Sequence, residues 1–254
     1  MERGMNERIR KLRKQSLETE PHIYMERAKL ETEAYMMYEG SVSVPELRAL
    51  AFKHFMEHKA LCINDGELIV GEKGDGPQAA PSFPELCCHT VEDIKVMDAR
   101  DLIYFRVSEE DLKVQEETII PFWEKRSIRH KILENMSEEW KDAYAAGIFT
   151  EFMEQRGPGH TVGSEKIYKK GFQDYKNDII EARNRLDFLN DKEAFDKKAQ
   201  LNAMEICCDA IMILGERYAA YARELAEKET DEIRKQELLQ IAANCDVVPA
   251  HAPK

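Results

Sequence analysis

His160 and the phenylalanine eight residues before it are the first candidates for chemistry. His160 directly follows Arg156-Gly157-Pro158-Gly159. Two glycines around a proline cannot continue a helix, and they permit close backbone approach. From Gly147 the chain carries Ile148, Phe149, Phe152 and Met153, which read as an apolar helical end on adjoining turns. An imidazole on a constrained turn beside a phenyl face suits a pocket wall, with Phe152 giving shape and His160 a polar handle. The same residues also read as a helix C-terminus, a Gly-Pro-Gly stop and a capping histidine. Spacing alone leaves both readings open.

The six cysteines offer a second chemistry: Cys62, the neighbours Cys87-Cys88 and Cys207-Cys208, and Cys245. No Cys-x-x-Cys occurs, which argues against a zinc ribbon or a thioredoxin-type dithiol. Cys87-Cys88-His89 has the right donors for a metal, but no second cluster lies at suitable spacing, so no metal site is expected. Reduced structural thiols are the expectation, together with a cytoplasmic location. The stretch GEKGDG from Gly71 is glycine-rich but acidic, and lacks the Lys-Ser/Thr ending that cradles phosphate. No Ser–His–Asp arrangement or carboxylate pair can be specified from spacing.

The elements that must position these groups are mostly helical. With 254 residues, 43% hydrophobic and 34% charged, the chain has the composition of a soluble globular protein that can bury a core. A net charge of -12 argues against nucleic-acid binding. No apolar run reaches the ~18 residues of a membrane span, and no apolar signal core opens the sequence. Helices are expected over 8–18, from Pro21 to Gly40, and from Ser43, where Ser43-x-x-Glu46 is a capping-box pattern. Asp65-Gly66 between two short apolar runs predicts a β-hairpin with a type I′ turn. An irregular segment rich in Gly and Pro follows over 71–90. Helices resume over 90–99, 108–117, from Pro121 toward Asn135, and from Ser137 to Phe149, then over 167–186, 191–228 and 230–244. The stripe Leu201, Met204, Cys208, Ile211, Leu214, Tyr218, Tyr221 and Leu225 reads as core rather than as a cofactor box. The tail from Cys245 reads as extended and apolar, with no closing structure, as in a chain that continues.

Three stretches carry a resemblance: NDGELIVGEKGDGPQAAPSFPELCCHT from Asn64, GIFTEFMEQRGPGHTVGSEKIYKKGF from Gly147, and CDVVPAHAPK from Cys245. Together they resemble the N-terminal part of the glycyl radical enzymes, a pyruvate formate-lyase-like superfamily. Within it they are most similar to the branch of lyases that dehydrate trans-4-hydroxy-L-proline. The resemblance runs over essentially the whole chain and implies the N-terminal third of a longer enzyme, with no domain boundary inside 1–254. It implies a mainly α fold with one short β-hairpin, forming the N-terminal part of a glycyl-radical-enzyme α/β barrel.

The resemblance also implies a glycyl radical near the C-terminus of the full enzyme, installed by a radical S-adenosylmethionine activating enzyme. That radical generates a cysteine thiyl, which takes a hydrogen atom from a hydroxyproline-like substrate; loss of water gives 1-pyrroline-5-carboxylate. Neither the Gly-Cys-Val-Glu type loop nor the radical-glycine motif is in this sequence, so no catalytic residue and no bound cofactor are expected in the chain, which alone should be inactive. What carries over is the pocket wall, Phe152 and His160, as substrate-binding residues. A homodimer of the full-length protein is implied, with no nucleic-acid or membrane partner. The alternatives are a fragment of another glycyl radical lyase, of the glycerol or diol dehydratase, choline lyase or formate acetyltransferase type, and a non-catalytic helical interaction module. A closed surface at 245–254 would favour the module.

Overall fold

The computed structural model describes residues 6–149 and 164–253. The described residues are mostly helical and fall into two compact units, one of residues 1–19, 33–77 and 162–254, the other of residues 20–32 and 78–161. In chain order the elements are α1 (Glu7–Glu18), β1 (His22–Tyr24), α2 (Glu26–Tyr38), α3 (Val44–His58), β2 (Ala79–Pro81), α4 (Val91–Asp98), α5 (Glu109–Val114), a π-helical turn (Gln115–Ile119), α6 (Ile120–Trp123), α7 (Ile128–Glu134), α8 (Glu138–Ala145), a 3-10 turn (Ser164–Tyr168), α9 (Phe172–Asn184), α10 (Ala194–Lys228) and α11 (Glu232–Val247). No helix among the described residues is long and apolar enough to cross a membrane.

The first unit is built on α10, which packs against α3, α9 and α11. Small residues make this possible: Ala203, Ala210, Ala219, Ala222 and Ala226 are buried along one helix, so neighbouring backbones come close. Ala222 and Ala226 meet Leu238, Ile241 and Ala242 of α11 in one apolar cluster. The expected capping box opens α3, with Ser43 Oγ accepting from the Glu46 amide and the Glu46 carboxylate accepting from the Ser43 amide. The other end of α3 is closed from α10, where Arg217 donates to the carbonyls of Met56 at 2.6 Å and Lys59 at 2.8 Å. A cation on the last carbonyls of a helix satisfies acceptors that have no partner within the helix.

The second unit holds the only sheet among the described residues, a parallel pair with His22 opposite Ala79, Ile23 opposite Ala80 and Tyr24 opposite Pro81. The segment after Pro21 therefore begins as strand and becomes helical only at Glu26, because the Ile23 amide is drawn to the Arg106 carbonyl at 2.8 Å. Beside the sheet, Arg27 makes a two-pronged contact with Glu85 at 2.6 and 3.1 Å and lies 3.9 Å over the Phe83 ring. Trp123, 2% exposed, donates its indole N–H to Thr32 Oγ1 at 2.8 Å.

The expected hairpin at Asp65-Gly66 does not form. A turn is present, with the Glu67 amide bonded to the Asn64 carbonyl at 3.2 Å, but only Gly66 has positive φ (+83°). That is the pattern of a type II turn, which splays its flanks, whereas type I′ needs positive φ at both central residues. The flanking groups are also engaged elsewhere: Arg234 takes the carbonyls of Asn64 and Glu67, and the Glu67 carboxylate takes the Asn64 amide. The fold class is thus mainly α as expected, with a small parallel sheet in place of the hairpin. The described strands amount to a single pair rather than a barrel wall.

Candidate functional site

Phe152 and His160 lie outside the described residues, as does the Gly157-Pro158-Gly159 turn. The structure does describe the root of that stretch. α8 begins at Ser137, whose hydroxyl accepts from the Trp140 amide, and its first turn carries Glu138 and Glu139, where carboxylates suit the helix dipole. The sequence predicts that this helix reaches Phe149; it ends at Ala145. Gly147 adopts φ +71°, its amide bonds to the Tyr144 carbonyl, and the Ile148 amide bonds back to the Ala143 carbonyl, both at 3.0 Å. This is a Schellman closure, which glycine makes without the steric penalty of a Cβ.

Past the stop, Phe149 is gathered against the same helix. Its ring centroid lies 5.1 Å from Trp140, edge-on, and 5.8 Å from Tyr144. The Tyr144 hydroxyl accepts from Arg129 at 3.2 Å. The stretch expected to line a pocket therefore leaves α8 from an aromatic cluster that Arg129 ties to α7.

In the first unit, the 3-10 turn leads through Gly171 into α9, and the tail closes the start of that helix. The amides of Phe172 and Gln173 donate to the carbonyls of Pro249 and Ala250, each at 3.0 Å. Gly171 packs so closely that an added Cβ would stand 2.2 Å from the Ala250 oxygen, and one on Gly215 would stand 2.6 Å from Pro249. The tail is thus packed and hydrogen-bonded, which corrects the expectation of an apolar end with no closing structure. Sequence patterning misses this because the partners are backbone groups separated by most of α9, α10 and α11.

A groove of about 1040 Å³ opens between α3, the 3-10 turn, α9 and α10. Phe52, Phe172, Ile179, Leu201, Met204 and Cys207 line it. Met204 is 43% exposed, so part of the stripe expected to be core faces this opening. The Tyr175 hydroxyl, also on the groove, is buried without a hydrogen-bond partner. A period-three-to-four stripe does not say whether another element covers it.

The Cys87-Cys88-His89 run lies in the second unit between two cavities. One, about 310 Å³, is apolar and lined by Met25, Phe83, Leu86, Ile94 and Phe105. The other, about 270 Å³, is lined by Asp93, Val96, Arg100 and Arg129, and both share Cys87, His89 and Met97. Cys87 Sγ is 4.0 Å from His89 Nδ1. Burial, reinforced by the charge of Glu124, pushes the Cys88 thiol up to about 11. Burial also opposes the charge on Asp93, but its hydrogen bonds with Thr90, followed by the influence of His89 and Arg129, hold its carboxyl below the ordinary value. Among the described residues no three potential metal ligands cluster, and all six cysteines are free thiols.

The chain belongs to the pyruvate formate lyase-like family, whose sequence profile matches residues 5–254. Trans-4-hydroxy-L-proline dehydratase of Clostridioides difficile is 61% identical over 254 residues, covering 100% of this chain and 32% of that protein. The crystal structure of hydroxyproline dehydratase from the same organism, with trans-4-hydroxy-L-proline bound, superposes with a TM-score of 0.94 at 62% identity, covering 100% of this chain and 32% of that one. The glycerol-bound B12-independent glycerol dehydratase of Clostridium butyricum superposes at 0.91 with 30% identity, over 100% of this chain and 33% of its own. The chain thus spans about a third of the length of these relatives.

Proposed function

We propose that this chain is the N-terminal part, residues 1–254, of a cytoplasmic glycyl radical lyase that dehydrates trans-4-hydroxy-L-proline to 1-pyrroline-5-carboxylate. The observation that carries the reading is identity of 61% along the entire chain with the hydroxyproline dehydratase, against 30% for the glycerol enzyme of nearly the same backbone. Equal folds with unequal identity favour the substrate of the closer sequence, since function resides in the site and not in the fold.

In this reading Phe152 covers the apolar face of the pyrrolidine ring and His160 hydrogen-bonds a polar end of the substrate, its hydroxyl or its carboxylate. The radical glycine supplies hydrogen-atom abstraction through a cysteine thiyl, and both residues are assigned to polypeptide beyond these 254. Cys62, Cys87, Cys88, Cys207, Cys208 and Cys245 lack the Gly-Cys-Val-Glu context, and burial first of all raises the thiols of Cys62, Cys88, Cys207, Cys208 and Cys245. The chain's own contribution is a wall that positions substrate and excludes water within the α/β barrel of the whole enzyme. A radical S-adenosylmethionine activating enzyme and a second copy of the full-length chain are the proposed partners.

The test uses the full-length enzyme with radical content normalised. His160→Gln should lower kcat by ~10²–10⁴-fold, as expected for a positioned acid–base or hydrogen-bonding group. Phe152→Ala should raise KM more than it lowers kcat, by roughly 1–3 kcal/mol of binding. If His160 is only a helix cap, His160→Gln will cost about 1 kcal/mol of stability and leave turnover near wild type. That outcome would remove it from the site.

A further inference from the structure

The Cys87-Cys88-His89 run makes a poor metal site, yet it stands between an apolar cavity and a polar one. The polar cavity has a distinct charge pattern. Arg100 and Arg129 bring two guanidinium groups to it, and Asp93 brings one carboxylate. That carboxylate is already committed, because Asp93 Oδ2 accepts from the Thr90 amide at 3.0 Å in the capping box of α4. The Cys88 thiol is kept uncharged at neutral pH and adds no negative charge. A net positive charge therefore remains.

The two arginines differ in constraint. Arg129 is held at both ends, its backbone amide bonded to the Leu86 carbonyl at 3.0 Å and its Nη2 to the Tyr144 hydroxyl. Arg100 follows the C-terminal end of α4, is exposed, and has no hydrogen bond or ion pair among the described residues. One fixed guanidinium and one adjustable one can both reach a planar anion, and the guanidinium fork matches a carboxylate bidentately. The remaining lining is apolar: Val96 and Met97 cover one side. A volume of about 270 Å³ limits the occupant to a small molecule.

We propose that this cavity of the second unit binds a small organic carboxylate, with Arg100 and Arg129 on the carboxylate and Val96 and Met97 on its apolar body. The site is separate from the one assigned to Phe152 and His160, and it does not depend on that assignment. The cysteines serve as an uncharged partition, and the His89 main chain is fixed by Gln115, whose Nε2 donates to its carbonyl at 2.6 Å.

The test titrates benzoate, and separately inorganic phosphate, into the 254-residue chain labelled at its methionine methyl groups, read by nuclear magnetic resonance. Benzoate should shift the Met97 methyl saturably and leave Met204, in the groove of the first unit, unmoved. Arg100→Gln should weaken benzoate about ten- to a hundred-fold, the scale of a charge-assisted hydrogen bond. Arg100 holds nothing else in place, so this variant should keep the wild-type spectrum. Lys95→Gln removes a cation from the same helix without touching the cavity, and should bind as wild type. The proposal is overturned if Met97 shows no saturable shift, if Met204 shifts in its place, or if Arg100→Gln and Lys95→Gln weaken binding equally. Phosphate binding as tightly as benzoate would overturn the role given to Val96 and Met97.

Discussion

Replacing Gly171 with alanine should destabilise the first unit, although the backbone there accepts any residue. Its φ is -94°, in the extended region, so no left-handed strain is involved. At such a position a Gly→Ala change normally stabilises by about 0.4–1 kcal/mol, because it narrows the unfolded ensemble. Here the sign should reverse. The new methyl would lie 2.2 Å from the Ala250 oxygen and 2.3 Å from the His251 Cα, whereas ordinary contact begins at 3.4 Å. Both obstacles are backbone, so no side-chain rotation relieves them. The tail must withdraw by more than an ångström, and the bonds from Phe172 to Pro249 and from Gln173 to Ala250 then break. Two such bonds contribute roughly 0.5–1.5 kcal/mol each. Set against the backbone gain, the net loss is about 1–2 kcal/mol. Urea denaturation measures the total, and hydrogen exchange at the amides of Phe172 and Gln173 locates it. Gly76→Ala is the control: nothing lies within 4 Å of its added methyl, so it should be neutral or slightly stabilising. The reasoning fails if Gly171→Ala matches or exceeds wild-type stability with those two amides still protected.

Two further outcomes follow from buried groups. Trp123→Phe keeps most of the apolar volume but removes the donor to Thr32 Oγ1, and should cost about 1–3 kcal/mol in denaturation midpoint analysis; an unchanged midpoint at unchanged m-value would show that this bond contributes nothing net. The Cys88 thiol, ordinarily near 9.0, is raised to about 11 by burial, so the unfolded chain loses that proton first as pH rises. Its contribution to stability is complete below the unfolded value and is lost between pH 9 and about 11. Cys88→Ala should therefore flatten part of the decline in stability across that window, measured by urea titration at a series of pH values.

Local signals were legible where the chemistry was local. Ser43-x-x-Glu46 gave the start of α3, and Ser108 and Ser137 accept from amides three residues on, as their positions suggested. The long helix at α10 followed from its periodicity. Pairings between distant segments were not legible. The β1–β2 register joins residues some 57 positions apart, and neither run announces the other. Asp65-Gly66 failed as a hairpin signal because Arg234, far along the chain, claims the carbonyls beside it. Gly147 was visible in the sequence, but its role as a helix stop depends on φ, which the apolar run through Phe149 obscured. The pocket residues Phe152 and His160 rest on family resemblance; spacing offered a capping histidine equally well.

The π-helical turn at Gln115–Ile119 makes the placement of Trp123 a matter of counting. Each residue of an α-helix rotates the chain by about 100°, so one extra residue accommodated in a π turn advances everything after it by that angle. Gln115 at the start of the turn reaches the His89 carbonyl, while Trp123 after it reaches Thr32. The two contacts share one continuous helical rod only because the rod carries an additional residue between them. Removing a single exposed position such as Glu116 would leave every hydrophobic residue of the segment in place, and the composition would hardly change. It would nevertheless turn the indole by about 100°, away from the hydroxyl it now serves. This part of the core is therefore encoded in length, and a one-residue deletion here acts as a phase error rather than as the loss of any particular side chain.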